Sequence, residues 1–341
     1  MALDHVKRGD LIDAARRVDT IKVSIGTAGA LGLTDVVQRD PPTTAYLMIG
    51  DRCHRNCAFC AQARDSQAHA NALSRVIWPP YEVAETIARL ADAYRAGRLR
   101  RACLQVTATP DSLARAEEIV IRIRAASEIP ISASVALRRW QDAERLFAAG
   151  ADRLALALDA ATPELFERLK LLAWQRQCNL LAELAERFPG RISTHLIVGL
   201  GESELDLVRC FAWLAERGIC IGLFAFTPVP GTALADRPPP ALASYRRVQA
   251  ARYLITQGQL DVGQVRFSPS GQIVGYGLSS RQLAKLLGSG EAFRTAGCPD
   301  CNRPYYNERP GGVMYNYPRP LTQREVEEAV AIVQSGLAAA P

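Results

Sequence analysis

Between residues 43 and 275 the sequence alternates short apolar runs with amphipathic segments of helical period, roughly one pair every 30 residues. That rhythm leaves few folds open. A helix-length crossover returns the chain to the same end of a sheet, so successive strands must pair in parallel. Strands are expected at 44–49, 102–106, 130–136, 153–159, 193–199 and 219–226, with a short late one at 265–268. The run Leu154-Ala155-Leu156-Ala157-Leu158 is almost wholly apolar, as a parallel strand covered on both faces should be. Helices are expected at 81–97, where Val83, Ile87, Leu90, Ala91 and Tyr94 share a face, and at 111–127, 162–188, 203–217 and 238–256. Asp111 or Ser112 would cap the second of these, and Gly150 would end a helix that follows the third strand.

The pattern predicts an α/β fold, a (β/α) TIM-type barrel, full or partial, over residues 41–275. Residues 1–40 form an N-terminal helical extension and residues 276–341 a cysteine-containing C-terminal tail. With 341 residues, 48% of them apolar, the chain can bury one large core. Asp4, Lys7, Arg8, Asp10, Asp13, Arg16 and Arg17 leave no apolar stretch of signal-peptide length near the start, and no run reaches membrane-spanning length, which points to the cytoplasm. The net charge of +6 rests on arginine, for lysine occurs only at Lys7, Lys22, Lys170 and Lys285. No basic block argues for nucleic acid; the charge suits a solvated surface or an acidic protein partner. Nine cysteines in such a chain indicate metal or catalysis rather than a disulfide framework.

Cys53, Cys57 and Cys60 form a C-x₃-C-x₂-C run just after the first parallel strand, on the barrel face where chemistry sits. Three thiolates are one fewer than a closed tetrahedral site requires. On a [4Fe–4S] cluster they leave one iron open; the alternative is a zinc knuckle completed by His54. With Phe59 before the last cysteine, the loop resembles that of radical S-adenosylmethionine (SAM) enzymes, in particular the biotin synthase-like group. The resemblance implies that Cys53, Cys57 and Cys60 hold a [4Fe–4S] cluster, that SAM chelates its open iron, and that one-electron cleavage of SAM yields a radical able to take hydrogen from an unactivated carbon. It also implies nucleoside contacts from Phe59, from Asp159 toward the ribose, and from Gly199, Gly201 and Glu202 toward the adenine. Ala157 stands where that group usually has Asn, and Val106-Thr107-Ala108-Thr109-Pro110 replaces its Gly-Gly-Glu.

In the tail, Cys298-Pro-Asp-Cys301 precedes a string dense in Pro, Gly, Tyr and Asn. Two thiols in a tight turn are half of a zinc ribbon, a free redox pair, or part of an auxiliary iron–sulfur cluster. Cys103 would complete the last of these if the tail folds over the barrel mouth; otherwise it is a buried apolar thiol. Biotin synthases hold such a cluster on three strand cysteines and one arginine. Cys103 and Arg266 match two of those positions, but Ser132, Ser134 and Ser193 stand in the others' strands. The tail, with Ser24-Ile25-Gly26-Thr27-Ala28, Leu73-Ser74-Arg75-Val76 and Trp78-Pro79, is similar to the two-component lipoyl synthases. That resemblance implies two [4Fe–4S] clusters, the auxiliary one a sulfur donor. It further implies an octanoylated or mercapto-octanoylated lipoyl carrier protein as substrate, a second radical SAM subunit as partner, and a ferredoxin or flavodoxin as electron donor, with neither nucleic acid nor membrane involved. Biotin synthase-like insertion, a carbon-skeleton mutase and a zinc-binding adaptor are the alternatives. Cys178, Cys210 and Cys220 are expected in the core. Tyr305, Tyr306, Asn307 and Arg309 would shape a substrate entrance or order the tail.

Overall fold

A computed structural model describes residues 20–309 and 311–338. The chain begins with β1 (Thr20–Val23), α1 (Ile25–Leu31) and β2 (Thr44–Ile49). Beyond the cysteine loop lie a small hairpin, β3 (Ala72–Leu73) and β4 (Val76–Ile77), and then β5 (Pro80–Glu82) and α2 (Val83–Arg95). The alternating region continues through β6 (Arg101–Val106), α3 (Ser112–Ala126), β7 (Ile131–Ser134), α4 (Trp140–Ala148) and β8 (Arg153–Ala155). It goes on through α5 (Pro163–Lys170), α6 (Trp174–Arg187), β9 (Ile192–Val198), α7 (Glu204–Glu216), β10 (Cys220–Ala225) and α8 (Leu242–Thr256). A ribbon of β11 (Arg266–Phe267) and β12 (Ile273–Gly275) precedes α9 (Ser280–Leu287) and α10 (Gln323–Gln334).

The main sheet runs β5-β1-β2-β6-β7-β8-β9-β10. From β2 to β10 every pairing is parallel, whereas β1 is antiparallel to both β2 and β5. Six parallel strands curl into a partial (β/α) barrel that the described residues do not close. The late run at 265–268 adds no stave. Ser268-Pro269-Ser270-Gly271 turns the chain straight back, Gly271 N donating to Ser268 O at 2.9 Å, so β11 pairs only with β12 and antiparallel. Of the expected N-terminal helical extension, residues 1–19 lie outside the described residues, and the rest contributes β1 to the sheet and one short helix.

Every residue of β2 is buried, as a strand with the chamber on one side and helices on the other must be. The outer layer packs through Ile119, Val120 and Ile123 of α3, Leu180, Leu181 and Leu184 of α6, and Leu207, Phe211 and Leu214 of α7. Each such side chain contributes about 1.5–3 kcal/mol of apolar burial. The single helix expected over 162–188 is two. Leu171 adopts φ 54°, ending α5 just where Lys170 turns inward.

The tail closes the open side, from an end of the barrel opposite to the one expected. Gly297 O accepts from Cys220 Sγ (3.0 Å), Pro299 O from Arg101 Nε (2.9 Å), and Asp300 O from the hydroxyls of Thr43 (2.6 Å) and Thr44 (2.9 Å). These partners sit at the amino-terminal starts of β10, β6 and β2, the barrel floor. The chain then climbs to the mouth, where Asn307 Nδ2 donates to Ala225 O (2.8 Å) at the end of β10 and Ser74 Oγ to Tyr306 O (3.1 Å). Asp300, Arg303 and Tyr305 all have positive φ, 63°, 35° and 64°. Such strain persists only where contacts over-determine it.

Asn302 is the clamp, its Oδ1 accepting from Thr43 N and its Nδ2 donating to Pro41 O, both at 3.0 Å. Asn302→Ala is expected to cost about 2–3 kcal/mol and to raise amide hydrogen exchange across residues 297–309 well before the sheet exchanges; unchanged protection there would show that the clamp is idle.

Candidate functional site

Inside the curled sheet lies a chamber of about 200 Å³. Its mouth is the cysteine loop and its floor the Cys298–Cys301 turn. At the mouth the backbone pins the loop: Cys53 N donates to Gln62 O (2.9 Å), His54 N to Ala108 O (2.8 Å), Ala58 N to Leu169 O (2.8 Å) and Cys60 N to Cys57 O (3.1 Å). Two amides aim at one sulfur, Ala108 N at 3.3 Å and Arg55 N at 3.4 Å from Cys53 Sγ. Segment 106–110 is therefore a clamp on the loop. Burial pushes the Cys57 thiol up to about 11 and that of Cys60 up to about 12. A metal that bonds the sulfur overrides such a penalty. His54 is exposed, and among the described residues no three His, Cys, Asp or Glu side chains are near enough to hold one metal ion. A cluster taking one thiolate per iron needs only the wider tripod.

Phe59, Cys60 and Asp159 line the chamber. Asp159 sits just past β8 with φ 67°, bridged to Leu196. Its Oδ2 accepts from Lys170 Nζ at 2.6 Å, and that ammonium also donates to Ala157 O at 2.6 Å. Lys170 is 2% exposed. A buried charge this well bonded fixes its partner, and Asp159 is held as an oriented carboxylate on the chamber wall. Gly199, Gly201 and Glu202 do not reach the chamber. They form a tight turn in which φ of 106° and 128° demands the two glycines, Gly199 N donates to Glu202 Oε1 (2.7 Å), and Arg237 Nε donates to Gly199 O (2.5 Å). Burial raises the Glu202 carboxyl, whose Oε2 is left without a partner.

At the floor Cys103, Cys298 and Cys301 face the same space. Gln105 Nε2 donates to Cys103 Sγ at 3.1 Å, and the Tyr46 hydroxyl lies 3.5 Å from Cys301 Sγ. Burial raises the thiols of Cys103 and Cys301. Arg266 is exposed on the β11–β12 ribbon, outside the chamber. The arginine among these thiols is Arg303. Its guanidinium stacks 3.8 Å from the Phe224 ring, its Nη2 donates to Ala296 O at 2.6 Å, and its backbone N donates to the Tyr46 hydroxyl at 2.8 Å. Burial works against this cation, but Cys301 and Tyr46 outweigh it, so its pKa is raised. Among the described residues no carboxylate pairs with it.

Cys178 and Cys210 pack in the core, as expected, while Cys220 instead anchors the floor turn. Sequence reasoning misses Lys170, Arg303 and His195 as site residues. A lysine inside the apolar run Leu169-Lys170-Leu171-Leu172 is the available signal for the first.

His195 projects from β9 into the chamber, its ring edge-on to Phe224 at 5.4 Å. Burial drives its pKa down to about 4, although Asp159 opposes this. The unfolded imidazole titrates near 6.5, so the stability fully present above that pH should fall as the pH drops toward 4, by at most about 3 kcal/mol. Urea unfolding at several pH values would check this, and His195→Gln should flatten the slope.

Residues 47–214 match the Radical SAM superfamily. Methylornithine synthase (PylB) is 15% identical over 69% of this chain and 68% of its own, with a TM-score of 0.50. HydG, a maturase of the [FeFe]-hydrogenase, is 11% identical over 75% of this chain and 56% of its own, TM-score 0.51. For HydG from Carboxydothermus hydrogenoformans the values are 17%, 69%, 56% and 0.50. These likenesses are of fold. No curated protein matches the chain in sequence. No helix among the described residues is long and apolar enough to cross a membrane. Members of the superfamily are enzymes, and the family implies a [4Fe–4S] cluster and SAM, which the donor set of Cys53, Cys57 and Cys60 fits. The stretch of this α/β partial barrel that carries the three loop cysteines, residues 47–214, matches a Radical SAM superfamily domain.

Proposed function

We propose that the chain is a sulfur-inserting enzyme, one half of a two-component lipoyl synthase, acting on the octanoyl or mercapto-octanoyl chain of a lipoyl carrier protein. The observation that carries this reading is the meeting of Cys103, Cys298 and Cys301 at the floor of the same chamber whose mouth is lined by Cys60 of the cysteine loop. Three thiols, two polar donors and a buried cation suit an auxiliary [4Fe–4S] cluster. Between the ends the wall is largely apolar, with Leu73, Ala133, Ala155, Ile197, Phe224 and Phe226, which suits an unbranched acyl chain.

When bound, the SAM cluster supplies a carbon-centred radical and the auxiliary cluster the sulfur. The protein's residues do the rest. Asp159, fixed by Lys170, presents a carboxylate to the nucleoside hydroxyls. Gln105 and Tyr46 hold the sulfurs of Cys103 and Cys301, Arg303 balances their charge, and the tail shuts out water along the open flank. A second radical SAM subunit and a ferredoxin or flavodoxin complete the proposed system. One observation favours biotin synthase-like insertion into a small molecule as a second reading: an arginine stands beside three thiols, although it is Arg303 rather than Arg266.

The product mass after anaerobic incubation with an octanoyl-lysine or mercapto-octanoyl-lysine peptide, SAM and a strong reductant decides between them. Gain of one sulfur supports the lipoyl reading, and no change in either peptide refutes it. Cys298→Ala should abolish sulfur transfer while SAM cleavage stays measurable. Iron analysis should give about eight irons per chain, whereas about four would favour a mutase needing no sulfur.

A further inference from the structure

Beside the chamber, at the carboxyl ends of the strands, lies a second cavity of about 520 Å³ that the proposed reaction leaves without a role. The two share Ser74, Phe226, Thr227 and Asn307 in their walls, so one opens beside the other. One side of this antechamber is stiff and apolar, built from Pro228, Val229, Pro230 and Pro239. The other carries two guanidiniums, Arg75 from the β3–β4 turn and Arg309 from the tail.

Among the described residues no carboxylate pairs with either arginine. Arg75 donates to the backbone carbonyl of Glu308, which seats it on the rim. The Glu308 carboxylate itself is turned inward: it is 2% exposed and accepts from Asn316 N at 2.8 Å and Asn307 N at 3.2 Å. Burial, and next the charge of Arg309, lower the Arg75 pKa, while the inward-turned Glu308 carboxylate works the other way. The two guanidiniums line the same opening. Guanidinium forks match carboxylates in geometry. A phosphate site would normally add a cluster of backbone N–H groups, and the proline wall has few to give.

We infer that the antechamber is a carboxylate-binding site, in which Arg75 and Arg309 grip an anionic group at the outer end of the substrate while its chain lies in the chamber. The inference deepens the sulfur-insertion reading and rests on it for the acyl chain. The carboxylate belongs either to an acidic residue flanking an acylated lysine or to a free acid; the test separates these sources.

Labelled octanoyl-lysine peptides with Glu or with Gln on both flanks would be titrated into the anaerobically reconstituted protein, with octanoate as competitor. The Glu-flanked peptide should bind about tenfold more tightly at low salt, and the gap should shrink as salt rises. Arg309 is exposed, so its substitution leaves the fold intact. Arg309→Gln should reduce the gap to about twofold or less, and Arg309→Glu should shift the preference to a Lys-flanked peptide. Arginine-dependent displacement by octanoate would assign the carboxylate to a free acid. Equal binding of both peptides together with no binding of octanoate would overturn the site. A charge preference that persists in deacylated peptides would instead remove the acyl reading and leave the anion site standing.

Discussion

A parallel sheet of six strands curls without meeting itself, and in this chain the tail residue Arg303 bridges the flank left open. Its guanidinium stacks on the Phe224 ring of β10, while its backbone N donates to the Tyr46 hydroxyl of β2. Among the described residues it has no carboxylate partner, and it is buried. An uncompensated buried cation would be costly, and here the Phe224 ring and the Ala296 carbonyl receive it. Burial raises the thiols of Cys103 and Cys301 beside it, and Arg303 works against that rise in both.

The mouth uses the same logic with different partners. Lys170 is buried like Arg303, but Asp159 answers its charge within the protein, and the carbonyls of Ala157 and Leu158 also accept from it. One end of the chamber thus holds a self-contained ion pair and the other a cation among thiols. The apolar stretch between the two ends suits an uncharged part of a substrate.

The parallel strands were legible to within a few residues, because apolar runs bracketed by Gly and Pro have no other reading in an alternating chain. The three cysteines after β2 fell on the carboxyl face for the same reason. What escaped was long-range. Nothing local tells a Cys-Pro-Asp-Cys turn which end of a barrel to dock against; hydrogen bonds from Thr43 and Thr44 to Asp300, more than 250 residues away, decide that. The resemblance to biotin synthases pointed to Arg266 as an arginine beside the cluster, yet the turn at Pro269 and Gly271 diverted that strand into a ribbon. The split of the helix at Leu171 also followed from a tertiary demand, the inward pull on Lys170.

The path of the tail has a bearing on how the molecule is put together. The 297–309 segment follows every stave in the chain, so the flank it covers is sealed by residues made after the sheet is complete. Because Cys298 and Cys301 ride on that segment, the same docking that covers the flank brings their sulfurs to the floor beside Cys103.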